Sequence, residues 1–264
     1  MTIYLPAVNS PAGVSAQAGE NQGITESDPN AGYLSTSLTT NAGQVTVSQQ
    51  LLDRAGPDFQ FDVMVFDQLT RAYNSTLDSY VLTQALANAG SVTYSSGGTY
   101  LTSVGALYPS IGKAKASTVD AAGVVLPATH IFAQPINWEW YASQADSAGR
   151  LLIVPNANGP FNAVAGGSNA PAIAEGDTGY RMHGLPVFED GNIPATGGTN
   201  QIVVAHMPEV WFWEGDLVTR TVPQTVAQNL SVLLQVYAYV GCIVRYPKAV
   251  VTINGSGVPL APTF

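Results

Sequence analysis

From Leu230 to Tyr246 every second residue is apolar: Leu230, Val232, Leu234, Val236, Ala238, Val240, Cys242, Val244 and Tyr246. Between them stand Ser231, Gln235, Tyr237, Tyr239 and Arg245. Strand side chains alternate between two faces, so a period of two over 17 residues predicts β-structure with one buried face, bent or paired along its length. A helix would scatter the same residues around its circumference. After Pro247 the alternation resumes at Ala249, Val251 and Ile253 and stops at Gly255.

Upstream the period changes. Phe61, Val65, Leu69, Tyr73, Leu77, Val81 and Ala85 form an i, i+4 series flanked by Phe66, Thr76 and Tyr80, which predicts an amphipathic helix. Pro57 and Asp58 open it, Asp58 and Asp62 suit the positive end of its dipole, and Gly90 closes it. Such a helix has about 28 residues and a length of roughly 40 Å, long enough to act as a spine. A shorter helix is expected between Pro109 and Ala122, and another from Asn137 to Ala148 with Trp138, Tyr141 and Ala145 on one face. A buried strand is expected at 129–133, and further strands at 151–154, 184–188, 201–205 and 210–213.

Residues 1–50 contain no lysine or arginine and show no helical period. Tyr33–Thr40 and Gln44–Ser48 read as β-branched, solvated strands, and Gly and Pro mark turns between Ala16 and Asn30. So little apolar content makes no core by itself, which predicts an arm or hairpin lying on something else. The whole chain shares this poverty of charge. Only 10% of its 264 residues are charged, against roughly 25% in an average soluble protein. The balance of 9 basic and 18 acidic residues gives a net charge of -9. Three lysines, Lys113, Lys115 and Lys248, make a poor footprint for nucleic acid. Large uncharged surfaces suit burial against partners, so an assembly subunit is expected.

Cys242 is the sole cysteine, which excludes an intramolecular disulfide. Met1–Pro6 lacks a basic leader region, and the longest apolar run, Val236–Val244, falls well short of the roughly 20 residues that span a bilayer. A soluble protein made in a reducing cytoplasm, without membrane association, is expected.

No constellation of residues in the sequence supports a chemical step. Gly112-Lys113 lacks the glycine and hydroxyl of a phosphate loop, because those positions are Leu107 and Ala114. Asp177-Thr178-Gly179 matches half of an aspartic-protease dyad and reads as a turn. His130, His183 and His206 are isolated; Pro208 argues against a helix that would join His206 to Glu209, so no metal site is expected. Cys242 lies on the apolar strand face as an inert core thiol. Trp211 and Trp213 flank Phe212 and read as core or subunit packing rather than a ligand platform. The sequons at Asn74, Asn229 and Asn254 carry no weight in a cytoplasmic protein. No catalytic residue, cofactor or metal is expected.

Three phrases, taken in order, resemble one family. They are Val45-Thr46-Val47-Ser48-Gln49-Gln50-Leu51-Leu52-Asp53 before the long helix, Gly184-Leu185-Pro186-Val187 with Ile193-Pro194 in the middle, and Arg245-Tyr246-Pro247-Lys248-Ala249 near the end. With the arm, spine helix and terminal ribbon, they resemble the major capsid proteins of tailed bacteriophages, an α+β fold of the Hong Kong 97 type. The resemblance implies an N-terminal arm at 1–13, an extended E-loop hairpin at 14–45, and a peripheral domain at 46–107 with a spine helix near 58–89. An axial domain at 108–222 and a return ribbon of the peripheral domain at 223–264 would follow. Glu20, Glu26, Tyr33, Leu34, Leu38, Arg54 and Arg71 are expected at subunit contacts.

The function implied is mechanical. Copies would tile as pentamers and hexamers into an icosahedral virion shell, assembled in the host cytoplasm, that encloses double-stranded DNA without reading its sequence. A scaffold protein, a portal and a cement or decoration protein are the implied partners. Family members often carry a charged, helical scaffolding segment at the N-terminus; none stands here, so a protease has removed it or a separate protein replaces it. Some members also join an E-loop lysine to a neighbour's asparagine. The first lysine here is Lys113, so no such cross-link is expected. Two other readings are open at this stage. An encapsulin-type nanocompartment shares this fold and size, and a ligand-binding or enzymatic domain could be built on the Trp211/Trp213 strand.

Overall fold

The computed structural model describes residues 1–55, 61–94, 100–144, 177–193, 195–196, 199–223 and 229–254. Strands β1 (Thr2–Ser10), β2 (Asn30–Ser37) and β3 (Thr39–Ser48) lead into helices α1 (Gln49–Ala55) and α2 (Phe61–Leu86). Next come β4 (Gly90–Thr93), α3 (Tyr100–Ser117), β5 (His130–Ala133) and α4 (Pro135–Ser143). Strands β6 (Asp177–Met182), β7 (Leu185–Glu189), β8 (Ala195–Thr196), β9 (Thr199–Asn200) and β10 (Ile202–Ala205) precede a 3-10 turn at Met207–Glu209. The chain ends in β11 (Val210–Glu214), β12 (Val218–Val222), β13 (Ser231–Val244), a second 3-10 turn at Pro247–Ala249, and β14 (Val250–Asn254). These elements divide into two compact units.

The first unit takes residues 1–5, 34–84 and 211–243. Its backbone is β13, the strand that carries the long alternation. Val232, Leu234, Val236, Ala238, Val240 and Cys242 are all buried, as the period of two requires. β13 pairs antiparallel with β3, from Ser231 opposite Ser48 to Val240 opposite Thr39. It also pairs with β12, from Leu233 opposite Val222 to Tyr237 opposite Val218. α2 covers one face of this sheet, packing Phe61, Val65, Phe66 and Leu69 on Val47, Val232 and Leu234. Gly43 allows the close approach, since a Cβ there would lie 3.3 Å from Leu69 Cδ2 and 3.7 Å from Val236 Cγ2. The Tyr73 hydroxyl donates to Glu214 Oε1 at 2.8 Å and ties α2 to β11. Burial and that carboxylate push the phenol up to about 12.

The second unit takes residues 6–33, 85–210 and 244–264. Its six-stranded mixed sheet runs β4-β14-β10-β5-β7-β6. β4 is parallel to β14 and β5 to β7; the β10 pairs with β14 and β5, and the β6–β7 pair, are antiparallel. On one face α3 presents Leu107, Ile111 and Ala114, at i, i+4 and i+7, and α4 adds Trp138 and Tyr141. They close over Ile131, Val187, Ile202, Val204, Val251 and Ile253. The opposite face buries Val203, Ala205 and Val250 under Phe132, Met207 and Val244. Burial on both faces explains why Ile202–Ala205 is apolar without alternation.

Several expectations need correcting. Gly90 does not close the long helix: α2 ends at Leu86, and Gly90 starts β4 opposite Val251, whose Cγ2 lies 3.3 Å from where a Cβ would stand. Strand packing, not helix termination, requires that glycine. Pro109 lies inside α3 rather than at its start. The residue one turn back is Gly105, whose backbone can yield to the ring, and burial of Leu107 and Ile111 outweighs the lost hydrogen bond. Asp177-Thr178-Gly179 belongs to strand β6, not to a turn; Asp177 pairs with Phe188, and the register shifts before Arg181. The turn falls at His183 and Gly184, both with positive φ. Leu230 is 61% exposed with a φ of 47° and precedes β13, so the buried alternation begins at Val232. Pro208 does not prevent a helical turn: it occupies the start of the 3-10 turn, where a missing N–H costs nothing. The expected strand at 151–154, the helix start at Pro57 and Asp58, and Ala145 lie outside the described residues.

Candidate assembly surfaces

β1 and β2 form a two-stranded ribbon. The chain between them, residues 11–29, is exposed at every position, with Val14 at 100% and Ile24 at 83%. Among the described residues its hydrogen bonds are local. Gly13 N–H donates to Ser27 Oγ at 2.6 Å, and that hydroxyl donates back to Gly13 O at 3.0 Å. Further out, Gln22 N–H donates to Gly19 O at 3.3 Å, and Gln17 Nε2 to Gln22 O at 2.5 Å. Glu20 and Glu26 belong to this projecting segment, fully in solvent. An extension with exposed Val and Ile and no core of its own is ready to be covered.

The other expected contact residues are distributed rather than clustered. Tyr33 points outward from β2 at 77% exposure, while Leu34 is half-buried. Leu38 is half-buried against its own chain: a Cβ on Gly241 would come within 3.0 Å of Leu38 Cδ2, so that glycine makes room for it. Arg54 is exposed on α1. Arg71 on α2 meets Asp67 at 2.9 Å one turn away, an exposed pair that contributes only tenths of a kcal/mol. Among the described residues no bond links any two of these seven.

Two further surfaces are open, and the first is built on the Trp211/Trp213 strand that reads in the sequence as core or subunit packing. In the first unit, Trp213 and Tyr239 join Met1, Ile3 and Leu38 around an open hollow of about 630 Å³. Trp211 stacks on Trp213 with centroids 6.3 Å apart, and Trp211 and Phe212 are exposed in the single chain. The second is the face of β3–β13–β12 turned away from α2, where Gln44, Gln235 and Arg220 stand in one cross-strand row. The alternation in β13 announced that this face exists, but the registers that align three strands are long-range facts no local pattern carries.

The chemistry-bearing residues are occupied structurally. Burial pushes the Cys242 thiol up to about 11, which keeps it protonated and inert. His183 Nε2–H donates to Tyr108 O at 2.7 Å and its ring stacks on Tyr108. His206 Nδ1–H donates to Pro127 O at 2.5 Å. Among the described residues no group of three or more His, Cys, Asp or Glu could hold a metal ion. Likewise no described helix is long and apolar enough to cross a membrane.

One carboxyl departs from ordinary behaviour. Burial, and a hydrogen bond with Glu139, push Glu189 from 4.5 up to about 7. A folded-state pKa above the unfolded one means stability present below about pH 4.5 and lost as pH rises through about 7. Glu189→Gln is therefore expected to flatten the fall in melting temperature between pH 5 and pH 8. An unchanged pH profile in this variant would show that Glu189 is not held above the ordinary carboxyl range.

Residues 33–253 match the phage capsid protein family, and the chain belongs to that family. Its fold is that of solved capsids. It superposes on a chain of Gordonia phage Cozz with a TM-score of 0.65 and 14% identity, covering 95% of this chain and 80% of that one. A chain from the capsid of an empty GTA particle gives a TM-score of 0.65 at 16% identity, over 96% and 84% of the two chains. A chain of Mycobacterium phage Adephagia gives 0.64 at 14%, over 100% and 86%. No curated protein matches the sequence. The mixed helix-and-sheet architecture is thus the Hong Kong 97-type capsid fold, and the protein is a structural component that self-assembles into a virion shell.

Proposed function

We propose that this chain is the major capsid protein of a tailed bacteriophage, tiling as pentamers and hexamers into an icosahedral head that encloses packaged double-stranded DNA. The observation that carries this, beside family membership, is the projecting segment 11–29: wholly exposed, without a core of its own, and suited to burial against a neighbour. In this reading residues 1–13 are the arm, 14–45 the E-loop, 46–107 and 223–264 the peripheral domain, and 108–222 the axial domain, with β4 and β14 of the peripheral ranges completing the six-stranded sheet that holds β5, β7 and β10. Glu20, Glu26, Tyr33, Leu34 and Leu38 meet neighbours through the E-loop, and Arg54 and Arg71 through the two helices behind it.

Assembly takes place in the host cytoplasm with a scaffold, a portal and a cement protein as partners. No lysine precedes Lys113, so the shell is held by buried area and strand exchange rather than an E-loop isopeptide bond. The net charge of -9 discourages tight adsorption to DNA that must later leave. Expression of the chain with its scaffold, followed by sedimentation, tests the reading. Fast-sedimenting closed particles are expected; a stable monomer with a defined small ligand would refute it.

A further inference from the structure

The open face of β3–β13–β12 has a chemistry that selects its occupant. Arg220 Nε donates to Gln235 Oε1 at 2.8 Å, and Gln235 Nε2 donates to Gln44 Oε1 at 2.8 Å. Among the described residues the nitrogens of the row left without a partner are all donors, the two terminal nitrogens of Arg220 and the amide nitrogen of Gln44, while each oxygen already accepts one bond. The guanidinium lies over the Tyr237 ring, 5.2 Å from its centroid, and Tyr237 meets Tyr239 edge-on at 6.1 Å. A cation held by a hydrogen bond below and a ring beside it loses little freedom on binding, and its two terminal N–H groups form the fork that fits a carboxylate. An open hollow of about 310 Å³ lies in front, between Arg220, Tyr237, Tyr239 and Thr40.

The acceptor it needs is on the same chain. The exposed segment 11–29 carries Glu20, Glu26 and Asp28 and no basic residue. Three other cations are partly committed, Arg71 to Asp67, Arg245 to Glu209, and Lys115 to His183 O, and Arg220 is set apart by the hydrogen bond and ring that hold its guanidinium in place. A polyanion such as DNA is a poor occupant, because one arginine in a chain of net charge -9 does not attract it. We infer that the Arg220–Gln235–Gln44 face receives the acidic tip segment of a second copy of this chain, with Glu20 or Glu26 on the Arg220 fork. This rests on the shell reading and names the surface that receives the projecting segment.

Mixing two single-cysteine variants reads the contact only between copies. Chains carrying Glu26→Cys, or Glu20→Cys, are co-assembled with chains carrying Arg220→Cys and oxidised. Native Cys242 is buried and stays silent. The expected result is a disulfide-linked dimer on a non-reducing gel, absent when either variant is assembled alone. If Arg220→Cys chains do not assemble, Tyr237→Cys presents a thiol from the same face. Closed particles without any linked dimer from either acceptor variant would overturn the contact while leaving the shell reading intact. Particles of Arg220→Gln that form in normal yield but have lost packaged DNA would also overturn it, and would assign the face to phosphate instead.

Discussion

Replacing residues 12–28 by an Asn-Gly turn is expected to give a folded subunit that no longer closes into shells. The excised segment contributes to none of the three buried clusters, and its bonds are internal to itself. Leu5 and Ala7, the buried residues of β1, remain, as does the pairing of β1 with β2. An Asn-Gly pair supplies the positive φ values a tight hairpin requires. Exposed changes of this kind usually alter stability by no more than about 0.5 kcal/mol, so the melting temperature should stay within about 2 °C. Assembly responds differently. Each association step that loses about 1.4 kcal/mol becomes tenfold weaker, and a closed shell multiplies that loss over its many contacts. Sedimentation and thermal unfolding of the same preparation separate the two effects. Normal particle yield would show that the segment is not an assembly element.

The opposite outcome is expected for Trp138→Ala. Trp138 is 1% exposed on α4 and packs in the cluster that includes Ile131, Val187, Val204 and Tyr141. Truncating a buried tryptophan removes its transfer free energy and leaves a cavity that close-packed neighbours only partly fill, a cost of about 3–5 kcal/mol. For a chain of this size that lowers the melting temperature by roughly 10 °C. The loss is read on unassembled subunits, and particle yield should fall with the supply of folded chain. A melting temperature within about 2 °C of the parent would mean that α4 does not close this core.

How far the sequence reached follows from the range of the forces involved. β13 and α2 were legible because each carries its own period: a buried face at every second residue, or at every third and fourth. Gly90 misled because a glycine after a helix usually stops it, whereas here the strand contact with Val251 decides the residue. Pro109 misled for a related reason: local preference places proline at a helix start, and the burial of Leu107 and Ile111 overrides that preference. Glu20 and Glu26 were expected only as subunit contacts, through the family resemblance, and their full exposure on segment 11–29 is a fact of the fold. The Arg220–Gln235–Gln44 row was not legible, since Gln44 and Gln235 are 191 positions apart and meet only through the register of β3 on β13.

The central claim is that this chain closes a shell, and single-particle electron microscopy of the purified assembly tests it most directly. The account predicts closed icosahedral particles built from pentamers and hexamers of this chain, with segment 11–29 of each copy lying on a neighbour and DNA density inside after packaging. Monomers, open aggregates, or a closed shell in which segment 11–29 stands free in solvent would contradict it.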